Sequence, residues 1–220
     1  MLSEAVQDYL KAIYKLGQGE EGPVTTSLIA ERLQVAPASV TNMVKKLAEM
    51  RLLEHTPYQG VELTAAGEKI ALEIIRHHRL LELYLAETLG YAWDEVHDEA
   101  DRLEHAISEE FEDRIDQALG FPRVGAHGEP IPSKQGDIDN PRYQSLAEVP
   151  AGQQAVVRRV SDRYPEMLRY MEEIGLKLGV RVEVREKAPF QGPLVLRIDG
   201  GRRKQSLGLE VASHIFVELL

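Results

Sequence analysis

The stretch VTTSLIAERLQVAPASVTNMVKKLAEMRLLEHTPYQGVELTAAG, Val24 to Gly67, decides the fold of the first part of the chain. Thr26 or Ser27 can cap a short helix whose apolar residues are Leu28, Ile29 and Leu33. A break at Gln34–Ala36 follows, and Pro37 stands where a second helix would begin. That helix buries Val40, Val44 and Leu47 and exposes Ser39, Thr41, Asn42, Lys45 and Lys46. Two short helices across a tight turn read as a helix-turn-helix. Leu52–Thr56 and Val61–Thr64, around Pro57-Tyr58-Gln59-Gly60, read as a hairpin, which makes the unit a winged helix-turn-helix.

A helix of this kind fits the major groove of double-stranded DNA. Short polar side chains near its start can reach base edges, and lysines further along meet phosphates. Ser39, Thr41 and Asn42 are therefore expected at bases or groove walls, and Lys45, Lys46 and Arg51 at phosphates. Residues 1–60 hold 6 basic and 7 acidic residues, so one copy would bind DNA weakly. A homodimer reading two half-sites of an operator, an inverted repeat, is the expectation.

Upstream, Ser3 can cap a first helix in which Val6, Tyr9, Leu10, Ile13 and Leu16 recur at helical spacing, with Asp8 off the apolar stripe. Downstream, Thr64 caps a long helix to about Leu89, stopped by Gly90. Its stripe is Ile70, Ile74, Leu81, Tyr84 and Leu85, with His77 on it as a packed core histidine and with His78 and Glu82 at its flank. Asp94 can cap the next helix, and Ser108 marks a break before an acidic helix that ends at Gly120.

Composition narrows the chemistry. The 220 residues include no cysteine, which excludes disulfides, thiolate zinc sites and cysteine nucleophiles and fits a reducing cytoplasm. No window approaches a membrane span. The net charge of −10 is concentrated in residues 61–150, which hold 8 basic and 20 acidic residues. Acid there discourages phosphate partners and suits a cation.

Four of the 7 histidines fall in HHRLLE, His77–Glu82, and HDEADRLEH, His97–His105. If the second run is helical, then His97, Asp101, Glu104 and His105 lie within roughly one quadrant of it at about 100° per residue. A face with two imidazoles and two carboxylates fills a core poorly and can hold a divalent metal.

Residues 121–150 are rich in Pro and Gly without periodicity and read as a linker. After Gly152 the pattern changes to short β-rich runs, Gln154–Val160, Val180–Arg185, Leu194–Ile198 and His214–Leu219, with a helix starting at Pro165. This suggests a small SH3-like barrel. The fold class expected is mainly α with a β-rich C-terminal domain, divided as 1–64 winged helix-turn-helix, 65–140 helical metal-binding and dimerisation domain with its linker to about 150, and 151–220 SH3-like domain.

HRLLE at His78–Glu82, VHDEADRLEH at Val96–His105 and HGEPIP in the linker together resemble the diphtheria toxin repressor family, metal-dependent regulators that include the manganese transport regulators. The likeness covers the whole length and is to the three-domain members. It implies a primary metal site of Asp8, Asp101, Glu104 and His105. It implies a second site of His78, Glu82 and His97 with a donor from the C-terminal domain, for which Glu166 is the choice and Asp162 the alternative. Iron-responsive members place sulfur where this chain has Asp8 and Asp101. Hard carboxylates with imidazole suit Mn²⁺ first and Fe²⁺ second. Manganese-selective members can carry a second acid one helical turn after Asp8, where this chain has Lys11.

The expected function is a metal-dependent transcriptional regulator, a repressor of metal-homeostasis genes, in which the bound ion fixes the DNA-competent dimer. A winged-helix regulator that responds to an organic ligand or a partner is the competing reading. A metallohydrolase comes last, because the chain has no HExxH, nucleophile elbow or Gly-rich phosphate loop.

Overall fold

The computed structural model describes residues 2–18, 22–199 and 204–220. The chain divides into two compact units: Met1–His78 with Asp101–Arg114 and Ile131–Ile138, and Arg79–Ala100 with Ile115–Pro130 and Asp139–Leu220.

The first unit opens with α1 (Glu4–Gly17), α2 (Thr26–Leu33) and α3 (Pro37–Glu49), followed by the hairpin of β1 (Leu53–Thr56) and β2 (Gly60–Leu63). Val6, Leu10, Ile13, Ile29, Val40, Val44, Leu47, Leu53 and Val61 form its core, nearly all at helical or alternating spacing in the sequence. Leu10, Ile29 and Leu47 are 0% exposed, so truncating any of them to alanine should destabilise by about 2–5 kcal/mol. The register Leu53↔Leu63 to Thr56↔Gly60 confirms the wing. Gly60 is required there: at φ +136° its backbone runs so close to Val24 that a Cβ would lie 2.5 Å from the Val24 carbonyl oxygen. The cap of α2 is Thr25, one residue before the expected pair, and its hydroxyl accepts from the Leu28 N–H at 3.3 Å. Gln34 stops the helix in the left-handed region at φ 53°, which makes the tight turn before Pro37.

Three further helices follow: α4 (Ala65–Glu87), α5 (Val96–Leu103) and α6 (Glu109–Ala118). Thr64 caps α4, with its hydroxyl accepting from the Gly67 N–H at 3.2 Å. Ser108 plays the same part at α6, accepting from the Phe111 N–H at 3.3 Å. Asp94 accepts a hydrogen bond from Arg169 at 2.7 Å. The expected helix from His97 to His105 is corrected: α5 ends at Leu103, and Glu104 and His105 lie on the turn beyond it.

The second unit is built on an antiparallel sheet of six strands in the order β3-β8-β4-β5-β6-β7. These are β3 (Gln144–Ser145), β4 (Gln154–Val160), β5 (Arg181–Lys187), β6 (Leu194–Ile198), β7 (Lys204–Leu207) and β8 (Ile215–Leu219). Helices α7 (Pro165–Glu173) and α8 (Leu209–Ser213) are set between strands. Leu146, Val157, Leu168, Met171, Val184, Leu196 and Ile215 lie in its core. The stretch read as linker contributes β3 and the 3₁₀ turn Leu146–Glu148, and it buries Leu146 and Val149. The sequence pattern missed β7 and α8, because KQSL has no apolar alternation.

Candidate metal centre

Helix α1 supplies Asp8 and Lys11 from one face, since i and i+3 are neighbours on a helix surface. The last turn of α5 supplies Asp101, and the turn after it supplies Glu104 and His105. Helix α4 supplies His78. Nε2 of His105 lies 2.9 Å from Asp8 Oδ1 and 3.5 Å from Glu104 Oε1, while its Nδ1 meets Gln7 Oε1 at 2.6 Å. Glu104 is 1% exposed. Its Oε1 and Oε2 accept from Lys11 Nζ at 2.9 and 2.8 Å, and Oε2 also accepts from His78 Nδ1 at 2.6 Å. Asp101 Oδ1 accepts from Lys11 at 2.8 Å and lies 3.2 Å from His78 Nδ1.

The expected primary set therefore resolves into two overlapping groups. Donor atoms of Asp8, Glu104 and His105 lie within 4.8 Å of one another, as do those of His78, Asp101 and Glu104. Glu104 is common to both, and Asp101 joins His78. Burial raises the Asp8 carboxyl above its ordinary range, and the His105 imidazole only partly opposes this. Burial also works against the charges of Asp101 and Glu104, but His78 and Lys11 outweigh it and hold both carboxyls below the usual range, Asp101 far below it. Lys11 is the mirror case: burial opposes the ammonium, and Glu104 and Asp101 more than restore it.

His77, expected as a packed core histidine, is buried and also fixes the turn. Its Nδ1 binds the Glu104 carbonyl at 3.1 Å and its Nε2 lies 3.3 Å from Glu112 Oε2. Arg76 Nε donates to Glu112 Oε1 at 2.5 Å, and its Nη1 donates to the Pro132 carbonyl at 2.8 Å. Burial acts against ionised Glu112, but His77 and Arg76 together pull its carboxyl down to about 2. This pair was not legible in the sequence, because an arginine and a glutamate 36 positions apart carry no periodic signal.

The second unit holds another group. His97 Nδ1 donates to Glu82 Oε1 at 3.0 Å and lies 3.4 Å from Asp162 Oδ2. Asp162, the alternative donor, thus joins Glu82 and His97. Glu166, the first choice, is not in the group and stands in the first turn of α7, where an acid suits the helix dipole. His78 lies one turn before Glu82 on α4 and is engaged with Glu104.

His127, in the stretch read as a linker, is 0% exposed. Its Nε2 donates to the Trp93 carbonyl at 3.1 Å, and the Trp93 ring stacks on it at 5.6 Å between centroids. Its Nδ1 has no hydrogen-bond partner and faces Glu82 Oε2 at 3.7 Å, an ion-pair distance. Burial opposes protonation there, but the Glu82 carboxylate, with Glu129 and Asp162 behind it, raises the imidazole to about 9. Only the glycine beside it hinted at this placement: Gly128 sits at φ +92°, and a Cβ would lie 2.1 Å from the Arg158 carbonyl oxygen.

The donor chemistry fits a hard or borderline divalent ion. Asp8, Glu104 and His105 offer carboxylate oxygen and imidazole nitrogen, and the chain has no thiolate to draw softer metals. Around Glu82, the buried Nδ1 of His127 makes no hydrogen bond and faces the Glu82 carboxylate from 3.7 Å, while its Nε2 is steadied by a backbone carbonyl, as a ligand imidazole's would be. On α3 and just after it, Ser39, Thr41, Asn42, Lys45, Lys46 and Arg51 are all exposed, while Val40, Val44 and Leu47 turn inward. The Thr41 hydroxyl donates back to the Pro37 carbonyl at 3.1 Å.

Residues 1–61 match the iron dependent repressor N-terminal DNA binding domain, residues 64–133 the iron dependent repressor metal binding and dimerisation domain, and residues 144–219 the FeoA domain. The chain is 30% identical to the iron-dependent repressor IdeR of Mycobacterium tuberculosis, over 99% of its own length and 98% of that protein's. It is 30% identical to the diphtheria toxin repressor of Corynebacterium efficiens, over 90% and 89% of the two lengths. The structure of a manganese-dependent transcriptional repressor in complex with manganese superposes with a TM-score of 0.91 at 40% identity, covering 98% of this chain and 100% of that one. ScaR with bound Cd²⁺ superposes with a TM-score of 0.80 at 34% identity, covering 98% and 99%.

Proposed function

Because this chain belongs to the iron-dependent repressor family and is a metal-dependent transcriptional repressor, we propose that its effector is Mn²⁺, with Fe²⁺ second, and that Asp8, Glu104 and His105 hold the ion. The observation that carries this reading is the convergence of one carboxylate from α1 with a carboxylate and an imidazole from the turn after α5. Asp101 completes the acidic surroundings from beside Lys11. Glu82, His97 and Asp162, with His127, form the second group, and His78 stands on α4 one turn before Glu82. No helix among the described residues is long and apolar enough to cross a membrane. In this reading the protein acts on double-stranded DNA in the cytoplasm.

The ion supplies a shared positive charge that both sides of the cluster can bind. Asp8 belongs to the helix that packs on α2 of the helix-turn-helix. Glu104 and His105 belong to the segment that His77 anchors. Holding the two together fixes α1, and through it α3, against the helical segment that joins two copies. Ser39, Thr41 and Asn42 then read bases, and Lys45, Lys46 and Arg51 meet phosphates, in each half of an inverted repeat. Linkage requires tighter ion binding in the DNA-competent arrangement, and operator DNA must tighten ion binding by the same factor. The division of labour follows residues 1–64, 65–140 with its connection to about 150, and 151–220.

Asp8→Ala tests the site. The half-saturating Mn²⁺ concentration for operator binding should rise at least about tenfold, since even residues that only steady a metal ligand are worth that much. An unchanged Mn²⁺ requirement would remove Asp8 from the ligand set.

A further inference from the structure

The two overlapping groups differ in what already lies between their members. In the His78–Asp101–Glu104 group a cation is present: Lys11 Nζ lies 2.8 Å from Asp101 Oδ1, 2.9 and 2.8 Å from the two Glu104 oxygens, and 3.2 Å from His78 Nδ1. The lysine residue is only 9% exposed, and its stem rises from the same face of α1 as Asp8. An ammonium is a compact point charge whose donors converge on carboxylate oxygens much as a divalent ion gathers them. It cannot leave this place without stranding the buried Glu104 carboxylate, and a second ion cannot enter without displacing it. Glu104 is shared, so an ion held by Asp8, Glu104 and His105 would sit across one carboxylate from a cation already in place.

We propose that the Lys11 ammonium is a built-in cation that occupies the His78–Asp101–Glu104 group and limits this cluster to one divalent ion per chain. The proposal rests on the reading that Asp8, Glu104 and His105 take such an ion, and it makes Lys11 the residue that sets the stoichiometry. Removing the ammonium should open a second divalent site that shares Glu104 with the first.

The test counts Mn²⁺ bound per chain, by equilibrium dialysis with elemental analysis, in full-length protein whose second-unit group is silenced by His97→Ala and Asp162→Ala. In that background the parent should bind one ion and Lys11→Arg should stay at one, because a cation remains. Lys11→Met should bind two. Lys11→Met decides the matter because it adds no ligand, and Lys11→Glu replaces it only if circular dichroism shows that the methionine variant has not folded. A parent or an arginine variant that binds two ions, or a deciding variant that stays at one, overturns the proposal. A parent with none and a deciding variant with one or more keeps the Lys11 occupancy and removes the native ion site. None in either removes both.

Discussion

In the group around Glu104 an ammonium joins the imidazoles that meet the carboxylates, whereas the Glu82 carboxylate is met by the imidazoles of His97 and His127. The distinction matters because a lysine paired with acids carries its charge at neutral pH, whereas a histidine's charge is set by its neighbours. The first group has a fixed internal counter-charge carried on the DNA-binding segment. In the second, His127 is raised to about 9 by its acids, and its charge depends on whatever else binds those acids. Similar residue types thus make one site with its cation built in and another whose cation is a proton.

The largest test of that contrast is to remove the central acid from each group. Glu104→Ala leaves the Lys11 ammonium buried without its main partner, and unfolding free energy should fall by about 3–5 kcal/mol. Glu82→Ala leaves imidazoles that can shed their protons, so its loss should be nearer the about 1–3 kcal/mol of an unmet polar group. Urea titration measures both, and equal losses would break the contrast.

Substitutions on α3 should separate ion sensing from DNA reading. Asn42→Ala should cost about 1–3 kcal/mol of operator discrimination. Lys45→Ala should weaken binding evenly across sequences and lower the salt slope by about 1. Fluorescence anisotropy across a salt series at saturating Mn²⁺ checks both, and neither substitution should change Mn²⁺ binding measured in the absence of DNA.

Gly128→Ala should act only on the second group. It forces a side chain at φ +92° against the Arg158 carbonyl, with a strain of about 1–3 kcal/mol, and displaces the loop that carries His127. Thermal unfolding should show the loss, while the Asp8 group keeps its Mn²⁺ response.

The smallest expected effect lies outside both groups. Glu112 is held at about 2 against an ordinary 4.5, so its ionised form stabilises the fold above about pH 4.5, and that contribution fades as pH falls towards 2. Glu112→Gln should flatten the pH dependence of stability in this window, and an unaltered slope would show that Arg76 and His77 do not hold the charge.

Much of the first unit was legible because its information is periodic: apolar spacing located α1 to α3, and Gly60 and Pro57 located the wing. The end of α5 was not. LEHAIS contains no glycine or proline to stop a helix, and the Glu104 carbonyl is instead taken by His77 from another element. The cap of α2 was expected at Thr26 or Ser27, and with three hydroxyl residues in a row before Leu28 only backbone geometry selects Thr25. His127 lay in a stretch without pattern, and its burial depends on stacking with Trp93 and close packing on β4, neither of which spacing can express. Lys11 was visible as a departure in charge from related regulators, but its contact with Glu104, 93 positions away, is purely tertiary.

Ion occupancy at Asp8, Glu104 and His105 is proposed to govern operator binding. Its most direct test is an anisotropy titration of wild-type protein on a promoter fragment from a candidate metal-transporter gene, with Mn²⁺, Fe²⁺ and Zn²⁺ in parallel and a chelator added at saturation. Binding should appear with Mn²⁺, be weaker in its dependence on Fe²⁺, and vanish on chelation. Binding that is tight before any metal is added and indifferent to the chelator would contradict it.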